Sequence, residues 1–211
     1  MNEIVVVGAS GYGREVFQYV KDVAQHDPSI RPKGLLDDDT TLRGQVGGDD
    51  IIGDTFTYAI QEHDRFVISA GSPGVRQTLA ERLADRGGRF YTVIHPTAYV
   101  AHTARIGVGC VVSPYASVGS HAQIEDHVLL VMYASVAHDC RVGRFCSLSP
   151  YSAVAGGGVL EAMVFLGAHA LVTQMRLVGR ESKIAAGAVV YRDVPERSLA
   201  TGNPARFLPI S

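Results

Sequence analysis

Residues 136–160 read VAHDCRVGRFCSLSPYSAVAGGGVL, with an aliphatic side chain at 136, 142, 148, 154 and 160. The spacing continues in both directions, so that Ile, Val or Leu occupies every sixth position from Ile94 to Val190, seventeen times without a gap. A period of six matches neither the 3.6 of an amphipathic helix nor the alternation of a half-buried strand. It predicts a solenoid of short parallel strands in which one aliphatic per hexapeptide points inward and stacks on its equivalent in the next coil. Four residues after each aliphatic the side chain is Ala, Ser, Gly or Cys at thirteen of seventeen positions, which suits the tight corner of a triangular coil. At three hexapeptides per coil, the repeat makes between five and six coils.

The repeat begins only near residue 94 of 211, which favours two domains, residues 1–90 and residues 91–211 with a C-terminal tail. A formal charge of −2 without a basic run points away from nucleic acid or an anionic membrane surface as partner. Met1 is followed by Asn2, Glu3 and a short apolar run rather than a basic region and long hydrophobic segment, so a cytoplasmic protein is expected, with no membrane insertion. Cys110, Cys140 and Cys146 all fall on the small fourth position of the hexapeptide and read as buried thiols rather than as disulfide or metal-binding groups.

In the first ninety residues, the apolar run Ile4 to Val7 leads into Gly8-Ala9-Ser10-Gly11-Tyr12-Gly13, then into Val16, Tyr19 and Val20 at helical spacing. Strand, glycine turn and helix start form an anion site, because glycines admit a phosphate to the backbone and the free N–H groups of the helix start favour negative charge. The spacing G-x-x-G-x-G differs from the dinucleotide fingerprint G-x-G-x-x-G and disfavours NAD. A second strand ends at Asp37-Asp38-Asp39, where an acid can meet a ribose or base. A third, Phe66 to Ser69, precedes a helix from Pro73 to Arg86. Three strand-helix units predict a small Rossmann-like parallel sheet with its crevice at the strand carboxyl ends.

Gly8 to Glu15, Ile94-His95-Pro96-Thr97-Ala98, Val136 to Gly143, Ala185 to Val190 and Gly202-Asn203-Pro204-Ala205-Arg206 together resemble the NeuD family of hexapeptide-repeat sugar acetyltransferases. The resemblance spans almost the whole chain. It implies a left-handed parallel β-helix behind an α/β domain, and acetyl-CoA-dependent N-acetylation of a nucleotide-linked 4-amino sugar in surface glycan biosynthesis. By the same resemblance His138 is the general base and Asp139 orients it. The acetyl-CoA thioester lies between adjacent solenoids of a homotrimer, with Gly156 and Ala186 presenting backbone to the pantetheine and Arg206 near the nucleotide end. The sugar nucleotide lies on the N-terminal domain at Gly8, Ser10, Gly11, Gly13, Asp37, Asp38 and Ser69. Chemistry agrees with the role of His138, since an amine attacking a thioester must lose a proton and imidazole titrates near neutrality. Two positions depart from the family. Tyr12 replaces a small residue or histidine, and Ser147 stands where some members carry a second histidine, leaving a hydroxyl to bond the thioester carbonyl.

Three other readings compete. O-acetylation of sialic acid or another free sugar uses the same solenoid without a nucleotide handle. A trimeric nucleotide-binding scaffold would lack the base. The γ-type carbonic anhydrases use a similar solenoid to hold zinc with three histidines. Here His102 and His138 are two coils apart, but the third ligand position is Gly143, too bare for a site that needs three protein ligands, so no metal is expected. His26, His63 and His95 read as helix, loop and junction residues, and His102, His121, His127 and His169 as structural.

Overall fold

The structure, a computed structural model, describes residues 1–42 and 50–210. Ile4 to Val7 are buried to 1% exposure or less and make up most of β1 (Asn2–Val7). Its helix, α1 (Gly11–Ala24), buries Val16, Phe17, Tyr19 and Val20, the stripe that three- and four-residue spacing dictates. β2 (Ile30–Leu36), β3 (Ile51–Gly53) and β4 (Asp64–Ile68) complete a parallel sheet of order β3-β2-β1-β4, and α2 (Pro73–Asp85) follows β4. The expectation of three strand-helix units needs correcting. Among the described residues, β2 is followed by a 3-10 turn at Thr40–Leu42 and then by the edge strand β3, whose three residues are too few to show a period. Strand order reverses at β1, so the crevice opens at the carboxyl ends of β1, β2 and β4.

The second half is the expected solenoid. Seventeen two-residue strands, from Val93–Ile94 to Val189–Val190, are shared five, six and six among three parallel sheets. Partners lie eighteen residues apart, as in Leu130 on Leu148 on Leu166. Ser147–Leu148 belongs to a first face, Ser135–Val136 and Ala153–Val154 to a second, and Arg141–Val142 to a third. The inward aliphatics from Val112 to Val190 are exposed by 3% or less. Each such burial contributes about 1.5–3 kcal/mol, and no single coil contains enough of them to fold alone.

The corners differ from expectation in one respect. A left-handed φ of 57–64° recurs every sixth residue from Tyr115 to Glu181, interrupted only by Gly157, itself left-handed. The turn therefore sits on the third residue after each aliphatic. The small fourth residue points into the core instead, as in Ala116, Ala134, Cys140 and Cys146, all at 1% exposure or less. The turn positions hold Tyr, His, Asp, Phe, Met, Glu or Gly and never a β-branched residue, for which this conformation is costly. At the first two corners the equivalent residues are Thr97 and Thr103, and the left-handed turn is absent. Burial pushes the Cys110 and Cys146 thiols up to about 12 and raises Cys140 as well, leaving all three protonated and unreactive.

The N-terminal sheet and helices pack on the first face, where Val93, Val111 and Leu129 join the core formed by α1, β1 and β2. Tyr12 reaches across to Ser113, oxygen to oxygen 3.3 Å, and burial pushes its phenol up to about 12. His95 bonds Asp22 of α1 at 3.2 Å. His127 lies edge-on to Phe90 and flat on Phe145, with centroids 4.6 and 5.0 Å away. Among the described residues its buried Nδ1 has no hydrogen-bond partner, and burial holds its pKa below the usual histidine value. Among the described residues no helix is long and apolar enough to cross a membrane.

Candidate active site

Gly8, Ser10, Asp37, Asp38 and Ser69 come together, with Thr55, Ala70, Val75 and Leu79, around a crevice of about 270 Å³. Most of their polar atoms are already committed. Asp37 accepts from the Ala9 amide at 2.6 Å and the Asp39 amide at 2.8 Å, so it holds the glycine turn in place. Asp38 accepts from the Thr55 amide and hydroxyl and from Arg82. Burial pushes the Asp38 pKa up, but these donors together hold it below the usual carboxylate value. Ser69 donates to the Val7 carbonyl at 2.9 Å. The groups free to meet a ligand are the exposed Ser10, which makes no capping bond, and the first amides of α1. The crevice thus supplies donors suited to an anion.

Gly11 and Gly13, also expected here, do different jobs and do not line it. A Cβ on Gly13 would lie 1.9 Å from the Gly8 carbonyl oxygen, so this glycine is required for α1 to pack on β1. A Cβ on Gly11 would meet nothing within 4 Å. Gly11→Val should therefore fold normally while placing a branched side chain over the helix start. We expect the KM for a sugar nucleotide to rise about tenfold, the loss of one charge-assisted contact, with acetyl-CoA affinity by calorimetry unchanged. Equal loss of both affinities would remove the crevice from the site.

From the start of α2 a groove of about 480 Å³ runs between Ser72, Pro73 and Gly74 and the solenoid residues Met163, Phe165 and Lys183. Phe165 and Lys183 also line a further cavity of about 490 Å³ with Pro150, Ala168 and Ala186. Groove and cavity, which share Phe165 and Lys183, follow the first face to the corner between first and second faces, while the crevice, lined only by N-terminal residues, reaches the same helix α2 at Val75 and Leu79. That corner is poor in side chains at Gly167, Ala168, Ala185 and Ala186, where an extended chain can lie close to the backbone. Arg206 is exposed on a terminal hairpin that extends the same sheet.

His138 and Asp139 occupy the opposite edge of the second face. In a strand, adjacent side chains would point apart, but the left-handed turn at Asp139, φ 59°, lets them meet. His138 Nδ1 lies 2.8 Å from Asp139 Oδ2. A carboxylate only accepts, so Nδ1 carries the hydrogen and Nε2 is left with its lone pair. Neighbouring coils fix the backbone, with the Asp139 amide donating to Ser120 and the Gly157 amide to the His138 carbonyl, both at 3.0 Å. The imidazole edge lies over Gly156, where a Cβ would come within 2.7 Å of Nε2 and Cε1. Both side chains are more than 60% exposed.

Gly156 shares the His138 corner, whereas Ala186 lies across the second face, so within one chain the two do not meet and only a cleft between adjacent solenoids, where the resemblance puts the thioester, would bring them together. One expectation is corrected by this geometry. Ser147 is 3% exposed, on the first face, where it donates to the Gly71 carbonyl at 2.7 Å and accepts from Arg76 at 2.9 Å. It is turned into the junction with the N-terminal residues and has no path to a thioester. The groove residues Phe165 and Lys183 were not anticipated. They precede the inward aliphatic, so the repeat marks them only as outward-facing. Among the described residues no three His, Cys, Asp or Glu side chains converge as metal ligands.

Comparison with known proteins gives consistent similarities. The PglD N-terminal domain family model matches residues 3–83. The chain is 26% identical over 125 residues to GDP-perosamine N-acetyltransferase of Escherichia coli O157:H7, covering 59% of this chain and 57% of that one. It is 34% identical over 119 residues to UDP-N-acetylbacillosamine N-acetyltransferase of Bacillus subtilis, covering 53% and 51%. These alignments span little more than half the length of the curated relatives. A solved structure of a mutant GDP-perosamine N-acetyl transferase from Caulobacter crescentus, in complex with CoA and GDP-perosamine, superposes with a TM-score of 0.88 at 30% identity, covering 99% of this chain and 97% of that one.

Proposed function

This chain belongs to the NeuD-like family of sugar N-acetyltransferases, with a left-handed parallel β-helix, and on that premise we propose that it transfers acetyl from acetyl-CoA to the amine of a nucleotide-linked amino sugar. The observation that carries the reading is the His138–Asp139 pair, with Nε2 open above a glycine that leaves it room. In this reading residues 1–90 hold the nucleotide, the anionic diphosphate meeting Ser10 and the start of α1. The sugar follows the groove past Phe165 and Lys183. The pantetheine of acetyl-CoA lies along Ala168 and Ala186, with Arg206 toward its nucleotide end.

His138 then takes a proton from the acceptor nitrogen as that nitrogen bonds to the thioester carbon, and the imidazolium returns it to the departing thiolate as the C–S bond breaks. Asp139 fixes the tautomer and stabilises the imidazolium while it exists. Because His138 and the Ala168–Ala186 corner lie on opposite edges of the second face, a complete site takes its base from a neighbouring subunit. A cyclic homotrimer provides three such sites with closed symmetry. The enzyme would work in the cytoplasm, supplying acetylated sugar nucleotides for surface glycan synthesis.

The deciding experiment offers acetyl-CoA with UDP-, dTDP- and GDP-linked 4-amino sugars and follows thiol release. We expect turnover of at least one nucleotide-linked amine, with kcat/KM rising with pH as free amine accumulates. The matching 4-hydroxy sugar should react poorly, because a neutral hydroxyl is a weaker nucleophile and gives the base a harder proton to remove. Faster acetylation of free sialic acid than of every amine tested would establish O-acetylation instead.

A further inference from the structure

Arg76 of α2 is 0% exposed and, among the described residues, pairs with no carboxylate. All its partners are neutral. Nε donates to the His127 carbonyl at 2.8 Å, and Nη2 donates to the Phe145 and Cys146 carbonyls at 2.6 and 3.0 Å and to the Ser147 hydroxyl. Nη1 donates to the carbonyls of Ala70 and Gly71 at the carboxyl end of β4. Burial pulls the guanidinium down to about 10, so it remains charged at neutral pH. Burying an unpaired cation is costly, and these carbonyl bonds only lessen that cost. A hydrocarbon side chain would fill the same space but leave the His127, Phe145 and Ala70 carbonyls without this donor, so the arginine braces this junction and brings a charge there as well.

Its position suggests what that charge does. Ala70 lines the crevice, as do Val75 and Leu79 on the same helix, while Ser72 and Gly74 line the groove. One side chain thus locks the walls of both cavities to the solenoid and places between them a positive charge that, among the described residues, no carboxylate contacts directly. We propose that Arg76 is a positioning residue for the acceptor, holding the start of α2 in register with the solenoid and supplying a fixed positive field that favours the diphosphate of a sugar nucleotide. A buried charge is poorly screened by salt or water, and acts at longer range than a surface lysine. The proposal rests on the sugar-nucleotide reading above.

The test compares full-length wild type with Arg76→Lys, which keeps the charge and loses the fork, Arg76→Met, which loses both, and Ser147→Ala, which removes one brace and keeps the arginine. Binding of free GDP, UDP and dTDP is measured by calorimetry at two ionic strengths, independently of activity, and KM is measured with any accepted sugar nucleotide. Arg76→Met should weaken binding of the nucleotide that wild type binds by at least about tenfold, by the same factor at both ionic strengths because the buried charge is little screened, and leave the acetyl-CoA KM unchanged. Arg76→Lys should recover only part of the affinity. If Arg76→Met does not fold, Arg76→Lys and Ser147→Ala carry the test through a raised sugar-nucleotide KM at unchanged acetyl-CoA KM. Nucleotide affinity within twofold of wild type in every folded variant, or equal loss toward both substrates, would overturn the proposal. Wild type that binds a nucleotide but acetylates no nucleotide-linked amine would instead refute the acetyltransferase reading and leave Arg76 assigned to the nucleotide.

Discussion

Replacing His138 by alanine should lower kcat by about 10²–10⁴-fold, the usual contribution of a positioned base, while the KM for acetyl-CoA stays near the wild-type value. The expectation follows from geometry, since the ring is held by one carboxylate and its free nitrogen faces outward over backbone. Asp139→Asn keeps the shape but allows the opposite hydrogen bond, in which an amide N–H donates to Nδ1 and moves the proton to Nε2. It should also lose activity, by less. Gly156→Ala supplies an independent check, because its Cβ would displace the imidazole without deleting it. All three variants should melt with wild type, as none of these side chains is buried in the core. Activity of His138→Ala within a few-fold of wild type would remove His138 from the mechanism.

How much of this was legible in the chain depends on the kind of signal each feature leaves. The inward ladder could be read because every coil repeats it, and seventeen aliphatics at one spacing leave no other fold. The turns were harder. Tyr115, His121, Phe145 and Met163 share only the absence of a branched Cβ, so their left-handed conformation leaves a signal made of omissions. Gly8, Ser10, Asp37, Asp38 and Ser69 line one crevice, and the sequence did not show that Asp37, Asp38 and Ser69 also brace the backbone around it, because such service looks the same in sequence as ligand contact. Arg76 was invisible, because an arginine on a helix reads as solvated unless the surface that covers it is known. Its burial in turn removed Ser147 from the thioester, a contact inferred by resemblance alone.

Mixing two inactive variants should restore activity. In the trimer reading, each site takes its base from one subunit and its groove from the next, so a subunit with His138→Ala still offers a sound groove. A subunit with Ala186→Trp, its indole filling the side-chain-poor corner, still offers a sound base. Reassembled from equal parts, each site has one chance in two of a sound base and one in two of a sound groove, so about a quarter of wild-type activity should return. Either variant alone, taken through the same dissociation and reassembly, should stay inactive. The result distinguishes a shared site from a trimer of self-contained ones, in which mixing gains nothing because every subunit carries its own defect. Light scattering of each variant must give a trimer mass for the comparison to hold, and a monomer mass for wild type at micromolar concentration would overturn the shared site directly. If mixing restores nothing while both variants remain trimeric, the site is not shared between subunits, and the acetyl-CoA that reacts at His138 does not lie along the Ala168–Ala186 corner of a neighbouring subunit.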